Sequence, residues 1–397
     1  MTCPHFGTCG GCSCADIPYE EQLRRKTKTL SGLFACAVET APSPDIYYYR
    51  NKMEFSFSRQ IDRAKTTEDG PKFFENRLGM KEKGRWDRAF DLNECHISTA
   101  DIGALIKAVR QWAETTETPY SDVRRHEGVL RHLLVRTAKN TGGRMVVLFT
   151  RGENFDKESF AEAVTAVWPD AAVLYAVNNS LSDTAQAEKL THLAGPEFIT
   201  EKLRIGSDPV KPDFTLDFKI TPRAFLQTNT RAAQKLYSHV RGLVGERPVS
   251  ALYDLYGGSG GLGFACHDKA EKIISVEFVP DAVQDGIANA QNNKIGNIEF
   301  VCAKTEDWLE QQVNAQTVFD GNSVFLLDPP RAGLHPKALE NLVKIMPARI
   351  IYVSCNPKAL DHDLKTLLGL YNLSAISAFD MFPHTEHVET VAVLDRK

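Results

Sequence analysis

The 397-residue sequence holds no apolar run long enough to span a bilayer. Its opening residues, Met1-Thr2-Cys3-Pro4-His5-Phe6-Gly7, lack the pattern of a secretory leader. These absences lead us to expect a soluble cytoplasmic protein with no membrane partner. Internal repeats and low-complexity tracts are also missing, which sets aside solenoid arrays. No strong basic surplus advertises a nucleic-acid partner, because the net charge is −4. Apolar residues make up 43% and charged residues 25%, ordinary values for a globular chain. The length is enough for two or three domains and a full core.

What is present is unevenly distributed. Residues 1–150 carry 23 Lys and Arg against 19 Asp and Glu, and the remainder carries 24 against 32. Whatever basic surface exists therefore belongs to the first part of the chain. Four of the nine cysteines crowd into residues 3–14, in Cys3-Pro4-His5-Phe6-Gly7-Thr8-Cys9-Gly10-Gly11-Cys12-Ser13-Cys14. In a reducing compartment such a cluster reads as metal-binding rather than disulfide-bonded. Three thiolates at this spacing converge easily. The fourth comes from Cys14 or from a distance, where Cys95 in Asn93-Glu94-Cys95-His96 is the best candidate. Zinc and an iron–sulfur cluster both fit the spacing.

Residues 17–34 read as a helix with basic residues Arg24, Arg25, Lys26 and Lys28. The stretch Tyr47 to Ser58 mixes aromatic and basic residues and ends in strand-like alternation. Aromatic faces and cations together suit RNA, which is held by base stacking and phosphate contacts. Leu78 to Trp86 reads as a basic hairpin, and His126 to Arg136 continues the pattern. Strands are expected at 145–149 and 172–177, with a helix near 157–167. Arg50, Lys52, Lys81, Lys83, Arg85 and Arg131 are the candidate phosphate contacts. We expect an α+β region over residues 1–205 and a second domain over 206–397.

The second region alternates strand and helix, the pattern of a doubly wound, mostly parallel sheet. A helix spans about Thr230 to Val244. Ser250 to Leu255 is a strand running into Tyr256-Gly257-Gly258-Ser259-Gly260-Gly261-Leu262-Gly263. Gly258, Gly260 and Gly263 fit G-x-G-x-x-G, and Glu277 closes the next strand about twenty residues on, where a ribose hydroxyl needs an acceptor. That much fits either a nicotinamide cofactor or S-adenosylmethionine. Other strand ends are more pointed. Val324 to Leu327 closes on Asp328-Pro329-Pro330-Arg331, and Arg349 to Val353 closes on Ser354-Cys355-Asn356-Pro357. The prolines hold the Asp328 backbone rigid. A dehydrogenase needs no such pairing, and an amino-methyltransferase needs no strand-end cysteine.

Methyl transfer to a pyrimidine carbon does need one. Carbon 5 of uracil is a poor nucleophile until a thiolate adds to carbon 6 and makes it enolate-like. A base must then remove the proton at carbon 5. Cys355 suits the first role; Asp254, Asp328, Glu386 and Glu389 are candidates for the second.

Gln227, the Asp328–Arg331 turn, Ser354-Cys355-Asn356-Pro357 and the tail Met381 to Glu389 together resemble the RNA 5-methyluridine methyltransferase family. The resemblance runs over nearly the whole chain. It implies a Rossmann-like class I methyltransferase domain, Cys355 as nucleophile and Glu389 as proton acceptor. It implies S-adenosylmethionine contacts from Gln227, Tyr256, Glu277 and Asp328. The N-terminal cysteines resemble those of the ribosomal RNA branch, which implies a 4Fe–4S cluster on Cys3, Cys9, Cys12 and Cys95, with Cys14 extra. The expectation is therefore a monomer that methylates a uridine of ribosomal RNA, most specifically the 23S large-subunit RNA. The alternatives are the same chemistry on transfer RNA, or an RNA-binding module with a retired active site.

Overall fold

The computed structural model describes residues 3–67, 70–182, 187–208 and 210–397. Past the cysteine-rich stretch the chain enters helix α1 (Tyr19–Phe34) and the two-residue strand β1 (Thr40–Ala41). Next come β2 (Lys52–Ile61), β3 (Phe74–Gly79), α2 (Ile102–Thr115), β4 (Leu130–Thr137) and β5 (Arg144–Thr150). They are followed by α3 (Lys157–Thr165), β6 (Ala172–Val177) and β7 (Lys189–Ala194). Strands β8 (Ile199–Ile205) and β9 (Phe214–Ile220) form a two-stranded sheet.

The chain divides into two compact units: Met1–Ile17 with Ile46–Glu201, and Pro18–Asp45 with Lys202–Lys397. In the first, one sheet runs in the order β3-β2-β4-β5-β6-β7. It is antiparallel except for the β5–β6 pair. Alternation along β2 sends Phe55 and Phe57 into the core with Leu133 and Leu148. Helix α2 contributes Leu105, Ile106, Val109 and Trp112 to the same core. It is absent from the sequence-based expectation, although these residues have helical spacing.

Arg131 is a correction. It is 4% exposed, and its guanidinium donates to the carbonyls of Asn178, Ser180 and Ser182. A buried side chain spent on three backbone carbonyls cannot be a surface phosphate contact. The alternation along β4 suggested a polar face, but nearly the whole strand is buried.

The second unit continues with α4 (Thr230–Val244), β10 (Val249–Leu255), α5 (Gly261–Ala265), β11 (Ala270–Glu277) and α6 (Pro280–Asn292). Then follow β12 (Ile298–Cys302), α7 (Thr305–Asn314), β13 (Ser323–Leu327), α8 (Pro336–Ile345) and β14 (Arg349–Ser354). Helix α9 (Pro357–Leu367), β15 (Tyr371–Phe379) and β16 (Glu389–Arg396) complete the chain. The sheet order is β1-β15-β16-β14-β13-β10-β11-β12. Strands β12, β11, β10, β13 and β14 are parallel, as expected, while β16 runs antiparallel between β14 and β15. The order reverses at β10, between β11 and β13, so the ligand crevice of this doubly wound sheet opens there.

The expected 1–205 region is interrupted. Residues 18–45 belong to the second unit, because Leu30 and Val38 pack with Ala378 and Val388. Lys26 Nζ also lies 2.7 Å from Asp380 Oδ1, with both side chains buried. Among the described residues, no helix is long and apolar enough to cross a membrane.

Candidate active site

Four parallel strands deliver their last residues to one edge of the second unit's sheet. Strand β10 ends before Tyr256, β11 ends in Glu277, β13 ends before Asp328 and β14 ends before Cys355. Because β16 is antiparallel to β14, with Thr390 opposite Ser354, its first residue reaches the same edge. That residue is Glu389. An acid near the C-terminus and a cysteine more than thirty residues earlier are thus brought together by strand direction alone.

The glycine turn after β10 is sterically enforced. A Cβ on Gly257 would lie 2.1 Å from Ser275 Oγ and 2.8 Å from Asp254 Oδ2. Gly260 has φ +87 and faces the Phe264 ring, where a Cβ would sit at 2.7 Å. Tyr256 itself is held at φ 63, a left-handed conformation unusual for a non-glycine residue. Burial pushes its phenol up to about 12. Glu277 is buried and accepts backbone N–H groups at both oxygens, from Gly258 to Oε2 (3.0 Å) and from Val279 to Oε1 (2.8 Å). Its carboxylate is thereby locked against the glycine turn. Gln227 is buried in the loop leading to α4. This loop touches the turn where Ser259 Oγ donates to the Phe225 carbonyl at 2.8 Å.

Three further carboxyl groups crowd the crevice. Asp254 is pushed up to about 7 by burial and by Glu277, against opposing hydrogen bonds from Ser275 and the Gly263 N–H. Asp328 is pushed up to about 7 by burial and by Asp254. Glu389, 3% exposed, is held well above the usual carboxylate range by burial and then by Asp328, with Arg331 opposing. Its Oε2 is buried with no hydrogen-bond partner among the described residues. Tyr237 on α4 feels Asp328, Asp254 and Glu389 together. Such an arrangement of desolvated acids favours a cationic ligand.

Cys355 is half-buried, with Asn356 capping α9 directly behind it. Its thiol is pushed up by burial, then by Glu389 and Asp328, while a hydrogen bond from Arg331 pulls the other way. Arg331 Nη2 also lies 2.9 Å from His387 Nδ1, and its carbonyl accepts from Asn356 Nδ2 at 2.8 Å. The turn after β13, the turn after β14 and the segment before β16 are therefore fastened to one another around the thiol. Sequence reasoning quoted Arg331 without giving it a task and passed over Tyr237. The first could have been noticed from its place directly after the rigid prolines; nothing local marks the second.

In the first unit, the expected cysteines lie within electrostatic reach of one another. The Cys12 thiol feels Cys9, Cys95 and Cys3, and is pushed up to about 12, mainly by burial. Cys9 is pushed up to about 11 by burial, and Cys95 and Cys3 add to the shift. Backbone N–H groups serve the sulfurs, from Gly11 to Cys9 at 3.3 Å and from Ile97 and Ser98 to Cys95. Arg50 opposes the upward shifts of Cys12 and Cys95. Cys14 instead lies beside the Ser13 hydroxyl at 3.4 Å. All nine cysteines are free thiols. Among the described residues, no group of three or more His, Cys, Asp or Glu side chains is arranged to hold a single metal ion.

Residues 175–397 match the family model described as tRNA (uracil-5-)-methyltransferase. The chain belongs to this family. A Clostridium tetani protein named as an uncharacterized RNA methyltransferase is 38% identical over all of this chain and 84% of its own length. A relative of the same description from Bacteroides thetaiotaomicron is 32% identical over 99% of this chain and 87% of its own. The crystal structure of the Pyrococcus abyssi tRNA (uracil-54, C5)-methyltransferase in complex with S-adenosyl-L-homocysteine is similar throughout. It has a TM-score of 0.76 and 29% identity over 97% of this chain and 85% of that one. The similarity to that structure extends over both units, and the crevice residues lie inside the segment that the family model matches.

Proposed function

We propose that this protein methylates carbon 5 of a uridine in ribosomal RNA, with S-adenosylmethionine as the donor. The observation that carries the reading is the convergence of Cys355, Glu389 and Asp328. Cys355 feels both acids, and Glu389 feels Asp328. A retired binding module has no use for a buried, upward-shifted carboxyl within electrostatic reach of a thiol.

Cys355 is the nucleophile. Its sulfur forms a bond to carbon 6 of uracil, and the electron pair moves toward oxygen 4 through carbon 5. S-adenosylmethionine supplies the electrophilic methyl group and a positive charge. Carbon 5 takes the methyl as the donor's sulfur–carbon bond breaks. Glu389 then takes the proton from carbon 5, the carbon 5–carbon 6 double bond returns, and the Cys355 thiolate leaves. Gln227, Tyr256, Glu277 and Asp328 are assigned to the donor. The crevice fits it, because a cation there meets desolvated carboxyls and lowers their pKa values. The same charge relieves the upward pressure on Cys355 and leaves Arg331 to favour the thiolate.

Cys3, Cys9, Cys12 and Cys95 are assigned to a 4Fe–4S cluster that is structural, since methyl transfer moves no electron to or from the protein. Their mutual electrostatic reach and the N–H groups on their sulfurs fit a thiolate-held cluster. Anaerobically purified protein is expected to be brown, with iron and sulfide in about equal amounts. Colourless protein with one stoichiometric zinc would overturn this assignment.

The cysteine spacing supports ribosomal RNA, the unpaired thiols fit a reducing, cytoplasmic compartment, and a monomer is part of the same proposal. The similarity to the Pyrococcus abyssi tRNA enzyme favours a second reading, transfer RNA. Presenting both RNAs, stripped of the modification, to the protein with labelled donor separates the two. The expected label is 5-methyluridine in 23S RNA. Label confined to transfer RNA would overturn the ribosomal assignment and leave the chemistry standing.

A further inference from the structure

A second candidate site lies wholly within the first unit. Trp86, Val123, Arg124, His126 and Leu181 line an open cavity of about 510 Å³. Trp86 is 63% exposed and Leu181 is 69% exposed. Two large apolar side chains left in solvent are costly unless something covers them. Both are also held in place.

Trp86 stands at the tip of a hairpin. The hairpin is laddered by Leu92 N to the Leu78 carbonyl, Phe90 N to Met80 and Glu82 N to Arg88. The cysteine loop braces one side, with Gly10 N donating to the Lys81 carbonyl and Lys83 N to the Thr8 carbonyl. Asp87 braces the tip. It accepts from Arg85 at 3.0 Å and from Arg124 at 2.6 Å, which hold its carboxyl well below the usual range. This buried acid joins the Trp86 hairpin to the turn 122–127. That turn is itself closed, since Asp122 Oδ1 accepts from Arg124 N and Arg125 N. His126 sits in it at φ 58. On the far wall, the buried Arg131 grips the carbonyls of Ser180 and Ser182 on either side of Leu181. Every wall is thus preorganised, and the group that looked like a phosphate contact instead holds the wall.

Cations lie at and next to the lining. Arg124 lines the cavity and is more than half exposed; Arg125, its chain neighbour, is more than half exposed, and Arg85, which precedes Trp86, is about a third exposed. The carboxylates nearby are Asp87, Asp122 and Glu127, the first two largely spent on these arginines and on backbone N–H groups.

We propose that this cavity binds an unpaired nucleotide of the RNA substrate, distinct from the uridine that is methylated. The base stacks on Trp86 against Leu181, and Arg124, Arg125 and His126 take the flanking phosphates. Stacking with charge on the rim is how unpaired RNA is held. The proposal rests on the RNA-methylation reading and adds a subsite to it.

The test reads tryptophan emission. Of the four tryptophans, Trp112, Trp168 and Trp308 are buried, so an RNA-dependent quench reports Trp86. Titration with an eight-nucleotide oligoadenylate, which contains no target, is expected to quench and blue-shift the emission. Polyphosphate of the same charge is expected to do neither. Trp86→Ala should abolish the quench and raise KM for the methylated RNA by roughly 5- to 100-fold. Trp86→Phe should recover most of the KM. No quench with oligoadenylate, an equal quench with polyphosphate, or an unchanged KM in Trp86→Ala would each overturn the subsite. Wild-type turnover in the same assay reports separately on the methylation reading.

Discussion

Cys355→Ala protein is expected to transfer no methyl group to RNA and to form no covalent complex with it. On the proposed mechanism the substitution removes the atom that activates carbon 5, so the reaction stops before its first bond. Removing a covalent nucleophile costs on the order of 10⁶ in rate in other enzymes, and a loss of about this size is expected here. The fold should survive. Cys355 lies in the turn after β14, half-exposed, one residue past the last paired position Ser354. Binding of S-adenosylmethionine, read by calorimetry, is expected to persist within a few-fold. Measurable turnover by Cys355→Ala would mean that carbon 5 is activated some other way.

Glu389→Gln is expected to fail at the opposite end of the reaction. The amide keeps the shape of the buried side chain but cannot take the proton from carbon 5. The methylated adduct should therefore form and then persist, because loss of a general base costs about two to four orders of magnitude. A protein–RNA species bearing labelled methyl should survive a denaturing gel. The pH dependence carries a sign. Burial and Asp328 raise the Glu389 pKa, so the carboxyl is protonated and useless as a base below that raised value. Release in the wild type should slow as pH falls through it, and Glu389→Gln should lose that limb. If Glu389→Gln turns over at the wild-type rate, Asp328 or Glu386 becomes the base.

Much of the edge where the candidate residues lie was readable because buried parallel strands write themselves as apolar runs. Val324 to Leu327 and Ile350 to Val353 are such runs, and each stops at a polar turn that the sheet places at its ligand edge. The glycine turn and Glu277 followed from the same rule. Pairing across long separations was not readable. Nothing near Glu389 says that β16 runs antiparallel beside β14, which is what carries the acid to Cys355. Nothing near Lys26 says that it ion-pairs with Asp380 in the core, so α1 was assigned to the wrong unit. Arg131 misled because alternation in β4 looks half-polar, whereas Arg131, His132 and Arg136 are all buried and the Arg131 guanidinium is held by loop carbonyls. The upward shifts of Asp254, Asp328 and Glu389 depend on mutual burial, which spacing along the chain does not encode.

The central claim is a covalent bond between Cys355 and carbon 6 of a uracil. It is tested most directly with RNA in which 5-fluorouridine replaces uridine, incubated with wild-type protein and labelled S-adenosylmethionine. Fluorine cannot leave carbon 5 as a cation, so the base has nothing to remove and the adduct cannot collapse. A denaturing gel should show one band containing protein, RNA and the labelled methyl group, and peptide mapping should place the RNA on Cys355. Efficient methylation of ordinary RNA with no such band, or a bond to any other residue, would contradict it.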